Sequence, residues 1–414
     1  MNIAIIGGGL TGLTAGFYLS LKGFKVTVFE KEKFLGGLAS GFKAGDWYID
    51  RCYHHIFKSD KAILKLTKDL GLKDIWFWKK SGAPIFYQGA IYPFTSPIDL
   101  LTFSPLSLVS RLRMGLASFY LMQNKNFKTF QNQRADLWLK KYMGSESWKI
   151  IWEPLMKKKF GKHYQQISMT WMWARVHKRS SFLGYPSGGF QVIIEKLKNK
   201  IEKNRGTIEL ESEVKNLNQL KSFDQILITC ANPIFLQIVP KIPASFKTQL
   251  KKIKYYGAIT ILLKLKKSLM DQVYWLNIND EKIPFVVCVQ QTNFIPKKYY
   301  HNNHFVYLAS YINKSNALFK LSDKVLLQKW LPFVTRINSS FKPDWIKNFW
   351  VYKEPYTQPI FRVGDYQYIP EIKTQLKNIY LANMSQVYPW DRGTNYAVEL
   401  GKKAAFLIAD KTTS

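Results

Sequence analysis

Three glycines near the N-terminus, Gly7, Gly9 and Gly12, have the G-x-G-x-x-G spacing of a backbone turn that binds a phosphate group. Gly7 allows a tight turn after a strand, Gly9 lets the backbone approach a pyrophosphate, and Gly12 lets a helix pack closely on the strand. Glu30 stands where an acidic side chain accepts hydrogen bonds from a ribose hydroxyl. These residues predict a dinucleotide-binding site; the alternative is a glycine-rich turn in an ordinary strand–helix unit.

The elements that must position these residues can be predicted from the same stretch. The apolar run Ile3–Ile6 predicts a strand, Leu10–Leu21 a helix, and Lys25–Glu30 a second strand that ends in the acid. The helix would present the free N–H groups of its first residues, Leu10 and Thr11, and its positive dipole end to the phosphates.

A second glycine pair, Gly36 and Gly37, lies in a short loop beyond the second strand. Here the chain resembles the FAD-dependent family of amine oxidases, protoporphyrinogen oxidases, phytoene desaturases and UDP-galactopyranose mutases. In that family this segment runs along the FAD pyrophosphate and ribityl chain. The resemblance implies FAD as cofactor, with contacts from Lys31, the glycine pair and Leu38. Many members carry an arginine just before the pair, whereas Lys33 is the nearest basic residue here.

Length and composition predict a two-domain protein in a reducing compartment. The chain has 414 residues, of which 47% are hydrophobic, enough for two buried cores. Its three cysteines, Cys52, Cys230 and Cys288, are far apart, which excludes a disulfide framework and a C-x-x-C pair. We therefore expect a cytoplasmic protein, and no targeting segment because Ile3 already belongs to the first strand.

The charge balance is strongly basic, with 61 Lys and Arg against 28 Asp and Glu, a net charge of +33. The basic residues are scattered and no nucleic-acid-binding motif is present, so we expect no nucleic-acid partner. Two interpretations stay open: peripheral contact with an anionic membrane on its inner face, and charge that is simply solvated.

The segment Leu100–Met122 is the most membrane-like part of the sequence. Arg111 and Arg113 in its middle argue against a span, because each charge at a bilayer centre costs about 2.5–3.5 kcal/mol. Four apolar residues share one helical face: Val109, Leu112, Leu116 and Phe119. We interpret the segment as a core helix, with an interfacial helix as the alternative.

The fold class is α/β, or α+β overall. The resemblance implies a Rossmann-like FAD-binding domain made from separate parts of the chain, packed against a substrate domain of helices and a mostly antiparallel sheet. The FAD-binding domain is predicted at residues 1–80, 186–240 and 370–414. The substrate domain is predicted at residues 81–185 and 241–369.

Apolar periodicity and turn residues place the main elements of both domains. Elements of the first domain are a helix from Phe190 to Lys203 that Gly206 ends as its C-cap, strands at Thr207–Val214, Asp224–Thr229 and Ile379–Ala382, and a closing helix around Tyr396–Ile408. Strands of the second domain are Ile259–Leu265, Phe285–Val289 and Phe305–Ser310. Two helices are predicted to start at Ser96-Pro97 and Ser104-Pro105.

Two adjacent histidines, His54 and His55, are the first candidates for catalysis. UDP-galactopyranose mutases carry a His-Ile-Phe at a comparable distance after the glycine pair, and this chain has His55-Ile56-Phe57. In that family the histidine lies near the flavin and influences its redox state. The alternative is that one histidine caps a loop and the other packs between domains. A metal site is not expected, because adjacent side chains point apart.

A tryptophan-rich stretch supplies candidates for substrate binding. The segment Trp152–Gly161 and the run from Trp171 to Arg175 resemble a part of the family's substrate domain that faces the flavin. Arg175 and Arg179 could bind an anionic substrate group. Trp171 and Trp173 are expected to be core residues more often than a substrate platform.

The C-terminal segment resembles the family's final FAD-binding segment, in which a helix N-terminus points at the flavin. The resemblance implies cofactor contacts from Asn383, Asp391, Gly393, Thr394 and Asn395. Val214, at the end of a predicted strand, would hold the adenine through its backbone. No cysteine follows Cys288, so the cysteinyl attachment of some members is excluded and FAD is expected to be noncovalent.

These observations predict an FAD-dependent oxidoreductase that acts on a medium-sized, apolar or anionic small molecule bound between the domains. One alternative is a mutase-like flavoenzyme without net oxidation. The other is a non-catalytic FAD-binding or membrane-surface protein. The sequence leaves the substrate, the electron acceptor and the oligomeric state open.

Overall fold

The computed structural model describes residues 1–177 and 180–410. The strands are β1 Asn2–Ile6, β2 Lys25–Phe29, β3 Gly41–Lys43, β4 Tyr48–Asp50, β5 Ile56–Phe57, β6 Trp76–Lys80, β7 Ile85–Tyr87, β8 Ala90–Tyr92, β9 Phe182–Pro186, β10 Thr207–Glu209, β11 Gln225–Ile228, β12 Lys254–Leu265, β13 Trp275–Ile278, β14 Val287–Gln290, β15 His304–Ile312, β16 Ile346–Ile360 and β17 Ile379–Leu381. The helices are α1 Leu10–Leu21, α2 Lys61–Asp69, α3 Pro97–Leu101, α4 Leu108–Gln123, α5 Ala135–Met143, α6 Ser145–Ser147, α7 Glu153–Phe160, α8 Thr170–His177, α9 Phe190–Lys203, α10 Asn232–Ile238, α11 Ala244–Lys252, α12 Asp323–Ile337 and α13 Thr394–Asp410.

A five-stranded parallel sheet forms the first layer, in the order β10-β2-β1-β11-β17. Its strands come from the N-terminus, the middle and the C-terminus, which confirms a Rossmann-like sheet made from a discontinuous chain. β1, α1 and β2 form the predicted strand–helix–strand unit. Because parallel strands end at one edge, the turns after β1 and β2 and the loop after β17 lie on the same side.

Two helices that start at this edge, α1 and α13, pack side by side and run in the same direction. Gly401 of α13 lies against Thr11 of α1, so closely that a Cβ on Gly401 would collide with the carbonyl oxygen of Thr11. At the other end, Lys22 Nζ lies 3.9 Å from Asp410 Oδ1. Thr394 precedes Gly401 by seven residues. The N-terminus of α13 therefore extends about 10 Å beyond that of α1.

A seven-stranded sheet forms the second layer, in the order β16-β12-β15-β14-β13-β7-β8. All its pairs are antiparallel except β13 with β7, which confirms the predicted, mostly antiparallel sheet. The β7–β8 hairpin joins this sheet from the helix-rich part of the sequence. A small sheet, β5-β9-β6, lies at residues 56–57, 76–80 and 182–186. The predicted domain boundaries stay a prediction.

Three local predictions were wrong. The strand expected to reach Val214 ends at Glu209, and Val214 is a buried residue of the following loop. Ser104-Pro105 lies in a turn, because α4 starts at Leu108 with Ser107 as its N-cap. Gly206 is not the left-handed residue that ends α9. Arg205 has that conformation, with φ 64°, and Gly206 N–H donates to the carbonyl of Ile201 at 2.9 Å.

The interpretation of residues 100–122 as a core helix was also wrong for their apolar face. The four residues of that face are all exposed: Val109 75%, Leu112 52%, Leu116 73% and Phe119 57%. The buried face of α4 is formed instead by Met114, Ala117 and Leu121. Among the described residues, no helix has the length and apolar character needed to cross a membrane.

Candidate functional site

The two glycine loops lie against each other at the carboxyl edge of the parallel sheet. Gly36 N–H donates to the carbonyl of Gly8 at 2.8 Å, and Gly9 pairs with Gly36 in an isolated parallel bridge. Gly9 precedes α1, and no side chain caps this helix. The first N–H groups of α1 therefore face outward without an intrahelical partner, which favours an anion at this position.

Glu30 is buried beside this turn and its carboxylate orients the glycine loop. Oε2 accepts a hydrogen bond from Gly8 N–H at 2.7 Å, and Oε1 accepts one from Glu32 N–H at 3.0 Å. Ser212 N–H donates to the Glu30 carbonyl at 2.9 Å, so the loop that contains Val214 runs beside the acid. Each carboxylate oxygen retains acceptor capacity for a ribose hydroxyl.

The empty space around the glycines fits a dinucleotide. A Cβ on Gly12 would collide with the carbonyl oxygen of Gly7, which explains the close packing of α1 on the turn. By contrast, apart from Gly9 and its two neighbours in the chain, no atom of the described residues lies within 4 Å of the Cβ position of Gly9. Ser40 Oγ, after the 3-10 turn Gly37–Ala39 that contains Leu38, is buried and has no hydrogen-bond partner in the described part of the chain. Lys31 is exposed, with its ammonium 3.1 Å from Glu32.

Before α13, Asp391 is the centre of a buried ionic network. Its Oδ2 lies 2.7 Å from Lys159 Nζ and accepts a hydrogen bond from the Trp171 indole at 3.3 Å. Its Oδ1 accepts one from Gln358 Nε2 at 3.3 Å and one from Arg392 N–H at 3.0 Å. Burial raises the pKa of Asp391, but Lys159 and Arg392 outweigh burial and hold this pKa well below its ordinary value. Asp391 is therefore ionised at neutral pH.

Arg392 connects the network to two tyrosines. Its guanidinium donates to Tyr311 Oη at 2.6 Å and to Gln358 Oε1 at 3.1 Å. Tyr311 Oη lies 3.1 Å from Tyr53 Oη. Burial raises the pKa of Tyr311, but Arg392 and Lys159 outweigh burial, and the pKa of this phenol falls below its ordinary value. Such shifts in a buried cluster are typical of functional sites.

Arg175 lies near the same network. Its guanidinium stands 5.8 Å from the Trp171 ring centre, and burial lowers its pKa while the charge of Asp391 raises it. Trp173 is a core residue, since it is almost fully buried and its indole donates to the Asn124 carbonyl at 2.6 Å. Arg179, the second predicted arginine, lies outside the described residues.

The two histidines have different surroundings. His54 is largely enclosed, with 14% of its side chain exposed and Nδ1 3.8 Å from Asp50 Oδ2, and burial lowers its pKa to about 4. Burial also raises the pKa of Asp50 well above its ordinary value. His54, with its lowered pKa, is neutral at pH 7. His55 Nδ1 lies 3.3 Å from Tyr274 Oη, and its ring packs edge-on against Phe57. His55 therefore lies in an aromatic cluster.

Two residues predicted to bind the cofactor have side chains that bond within the protein. Asn383 Nδ2 donates to the Cys230 carbonyl at 2.8 Å, which ties the loop after β17 to the end of β11. Asn395 Oδ1 accepts from the N–H groups of Ala62 at 2.9 Å and Ile63 at 3.2 Å and so caps α2. Thr394 and Asn395 are buried in the first turn of α13, directly after Gly393. The predicted cofactor contacts of these residues stay a prediction.

Sequence reasoning missed Lys159, Tyr311 and Gln358. Lys159 lies in the segment that resembles the family's substrate domain, where it stands among three lysines, and only its burial distinguishes it. Tyr311 and Gln358 lie on β15 and β16 without any motif. Among the described residues, no group of His, Cys, Asp or Glu has an arrangement that could hold a metal ion.

Comparison with known proteins identifies the family. Residues 10–409 match the family described as flavin containing amine oxidoreductase. Coproporphyrinogen III oxidase of Staphylococcus aureus is 24% identical over 304 residues, an alignment that covers 60% of this chain and 64% of that protein. The match thus spans slightly less than two thirds of that relative's length.

Two solved structures have the same fold. A protein from an Exiguobacterium species, named as a protoporphyrinogen oxidase, has a TM-score of 0.78 at 18% identity and covers 99% of each chain. Reduced UDP-galactopyranose mutase has a TM-score of 0.78 at 16% identity and covers 100% of this chain and 96% of its own. At such identities the likeness concerns the fold alone, whereas the family match extends over nearly the whole chain. The resemblance inferred from the glycine loops is confirmed, and this chain belongs to the flavin-containing amine oxidoreductases.

Proposed function

We propose that this protein is an oxidoreductase that holds FAD noncovalently and oxidises a medium-sized, apolar or anionic substrate. The observation that carries the proposal is the pair of parallel helix N-termini. One lies beside the open face of Gly9, and the other extends about 10 Å further along the same direction. This spacing supports a pyrophosphate at the first helix and a polar ring at the second. When bound, FAD supplies the acceptor for the substrate's electrons.

The buried network around Asp391 supports an anionic substrate group. Lys159, Arg392 and Arg175 bring three cations to one carboxylate, so the network keeps a positive balance. Charges in a site from which water is excluded act more strongly than in water. Lys159 and Arg392 are held in place by Asp391 and Gln358, which fixes their orientation toward a substrate. The Trp171 ring supplies an apolar wall on the same side.

The first experiment tests the cofactor. Purified protein should be yellow, and heat should release FAD rather than FMN, because the glycine turn and Glu30 suit a pyrophosphate and an adenosine ribose. Glu30→Ala should weaken FAD binding by about 1.5–3 kcal/mol, the value of a hydrogen bond to a charged group. Glu32→Ala, at the exposed neighbouring acid, is the matched control and should leave FAD affinity unchanged. A colourless protein that cannot be reconstituted with FAD would contradict the proposal.

A second experiment tests the redox reaction. The staphylococcal relative is named for the oxidation of coproporphyrinogen III, so this compound is the first donor to mix anaerobically with the protein. A donor that is oxidised must bleach the FAD absorbance, and an acceptor must restore it. Bleaching should be slower in Lys159→Met, which removes one of the cations that would receive an anionic group. If none of the donors bleaches the flavin, the result would favour the non-catalytic alternative. The cytoplasmic location predicted from the sequence stays a prediction.

A mutase is the second candidate, favoured by the His55-Ile56-Phe57 motif and by the fold shared with UDP-galactopyranose mutase. A mutase needs its flavin reduced beforehand and returns it reduced after turnover. Conversion of UDP-galactopyranose to the furanose form only after dithionite treatment would overturn the oxidoreductase assignment. His55→Ala should then impair turnover while FAD stays bound. If activity survives this change, His55 has a structural role in its aromatic cluster.

A further inference from the structure

The outer face of α4 is apolar and exposed along the whole helix. At 100° per residue, one side of α4 contains Met122, Gly115, Leu108, Phe119, Leu112, Gln123, Leu116, Val109 and Tyr120, of which only Gln123 is strongly polar. The exposed Arg113 borders this side. Ile98 and Leu101 of the preceding α3 are also exposed, at 72% and 46%. We call these apolar residues of α3 and α4 the outer face.

This pattern differs from that of an ordinary surface helix, because both faces of α4 are apolar. Met114, Ala117 and Leu121 point inward, whereas further leucines and Phe119 point outward. A surface helix normally places its apolar stripe toward the core and polar residues toward water. A contiguous exposed apolar patch of this kind marks a binding surface for a protein or a membrane.

The charges around the outer face indicate which kind of partner it binds. Residues 97–143 contain seven cationic side chains and two acidic ones, Asp99 and Asp136, and Glu146 lies beside the start of α4. All three acids have partners: Asp99 forms the capping box of α3, Asp136 lies 2.7 Å from Arg134, and Glu146 accepts a hydrogen bond from Ser107 Oγ at 2.6 Å. Arg111 and Arg113 donate to backbone carbonyls. Lys125 and Lys128 are exposed just beyond the end of α4. An apolar stripe bordered by cations is the chemistry of a helix that lies in an anionic lipid surface.

We propose that the outer face docks the protein onto a bilayer that contains anionic lipid, with α4 lying in the plane of the interface. The apolar side chains enter the boundary between headgroups and acyl chains, and the surrounding Lys and Arg contact the lipid phosphates. A second copy of this chain is a poorer occupant, because association would bring together two molecules that each carry a net charge of +33.

The docked face lies close to the candidate site. Asn124, which follows α4, accepts a hydrogen bond from Trp173 of α8 at 2.6 Å, and Trp171 on the same helix donates to Asp391 at 3.3 Å. α8 therefore connects the C-terminal end of α4 with the ionic network. A membrane-dissolved apolar substrate would have a short path to the site, a consequence that rests on the proposed function, whereas docking itself does not.

Co-sedimentation of the holoprotein with vesicles tests the docking. Wild-type protein should bind vesicles that contain about a third phosphatidylglycerol, and bind phosphatidylcholine vesicles weakly. Raising salt from about 0.05 M to about 0.5 M should weaken binding without abolishing it, since salt screens the cations but leaves apolar insertion intact. Leu116→Ser/Phe119→Ser should lower the partition coefficient at least about a hundredfold, because two apolar side chains no longer enter the bilayer. Lys125→Gln/Lys128→Gln should reduce binding about tenfold, and only at low salt.

Leu21→Ser/Leu407→Ser is the matched control, because it changes exposed apolar residues of α1 and α13 and should leave vesicle binding unchanged. Thermal unfolding and FAD content should stay at wild-type values in both serine variants. Wild-type protein that does not bind anionic vesicles at low salt would overturn the proposal, as would equal binding by Leu116→Ser/Phe119→Ser. A dimer in sedimentation velocity that this variant dissociates, without vesicle binding, would show instead that the outer face joins two copies. None of these outcomes depends on a substrate, so they are independent of the proposed function.

Discussion

The Lys159–Asp391 ion pair illustrates what a buried charge demands of its neighbours. Only 10% of the Lys159 side chain is exposed, so water compensates this ammonium little for a lost partner, whereas 29% of the Asp391 side chain is exposed and water compensates the carboxylate in part. Four groups surround the carboxylate, which explains why it stays ionised. Removal of one partner from a buried pair is costly, because the other charge remains without compensation.

The first prediction concerns this pair. Lys159→Met should lower the free energy of unfolding by about 3 kcal/mol, at the lower end of the range for buried pairs because Asp391 is partly exposed and keeps Arg392. Lys159→Met/Asp391→Asn should recover part of that loss, since no carboxylate is then left unpaired. Urea unfolding of both variants and of Asp391→Asn completes the double-mutant cycle. If the two single substitutions change the free energy of unfolding additively, Lys159 and Asp391 do not interact directly.

The second prediction concerns His54 and acid stability. The unfolded histidine takes up a proton near pH 6.5, whereas burial lowers the folded pKa to about 4. The unfolded state thus binds more protons between these values, and stability falls as pH drops from 6.5 toward 4, by about 3 kcal/mol in total. In His54→Gln, the free energy of unfolding should fall less steeply over this pH window, which thermal unfolding at several pH values would measure. Asp50, whose raised pKa changes stability with pH in the opposite direction, is present in both proteins. If stability falls equally steeply with pH in wild type and variant, His54 is not the cause.

At the scale of elements, α1 and α13 determine where a cofactor can lie. Their parallel course places both positive helix ends on one side of the sheet, offset along the axis. The glycine loops close the space between them and Glu30. Most of these contacts are made by the backbone, so only glycine substitutions can test them without removing a functional side chain.

The third prediction is that Gly9→Ala separates folding from cofactor binding. Gly9 has φ −75° and ψ 175°, which alanine adopts freely. Its Cβ position has no contact within 4 Å in the described part of the chain, its sequence neighbours aside. The apoprotein should therefore fold normally, while a pyrophosphate placed there meets an extra methyl group, which should cost about 1–3 kcal/mol of FAD affinity. Gly115→Ala, whose Cβ would only touch Leu100 at 3.6 Å, is the control and should leave FAD binding unchanged. Unchanged FAD affinity in Gly9→Ala would show that the pyrophosphate does not bind beside Gly9.

At the scale of the whole molecule, the net charge of +33 opposes the compact state through self-repulsion. The fold tolerates this because most lysines are exposed, and the cations that are less accessible, such as the buried Lys159 and the half-buried Arg392, have partners.

The fourth prediction follows from this repulsion. The thermal midpoint of the holoprotein should rise between about 0.01 M and about 0.2 M salt, because the Debye length falls from about 30 Å to below 10 Å. Sodium and potassium chloride should act equally, since screening depends on ionic strength alone. A midpoint that stays flat or falls with salt would show that long-range repulsion contributes little to stability.

How much of the fold could be predicted from the sequence depended on how far apart in the chain the interacting residues lie. The strand–helix–strand unit at residues 2–29 and helix α9 were predicted within one residue, because their signals are local: glycine spacing, apolar periodicity and an acid at a set distance. The end of α9 was predicted correctly, but its capping residue was misjudged by one position, since Arg205 rather than the glycine after it adopts the left-handed conformation. Such errors arise where two backbone solutions differ little in energy.

The sequence by itself determined the family, the first strand–helix–strand unit and the glycine loops, because these follow from residues close together in the chain. Only the tertiary structure decided which lysine of Lys157–Lys159 pairs with Asp391, and that Tyr53, Tyr311 and Arg392 meet. It also decided that the apolar face of α4 points to solvent. An apolar stripe has the same period whether it faces a core or a membrane, and contacts between distant residues depend on how whole layers pack.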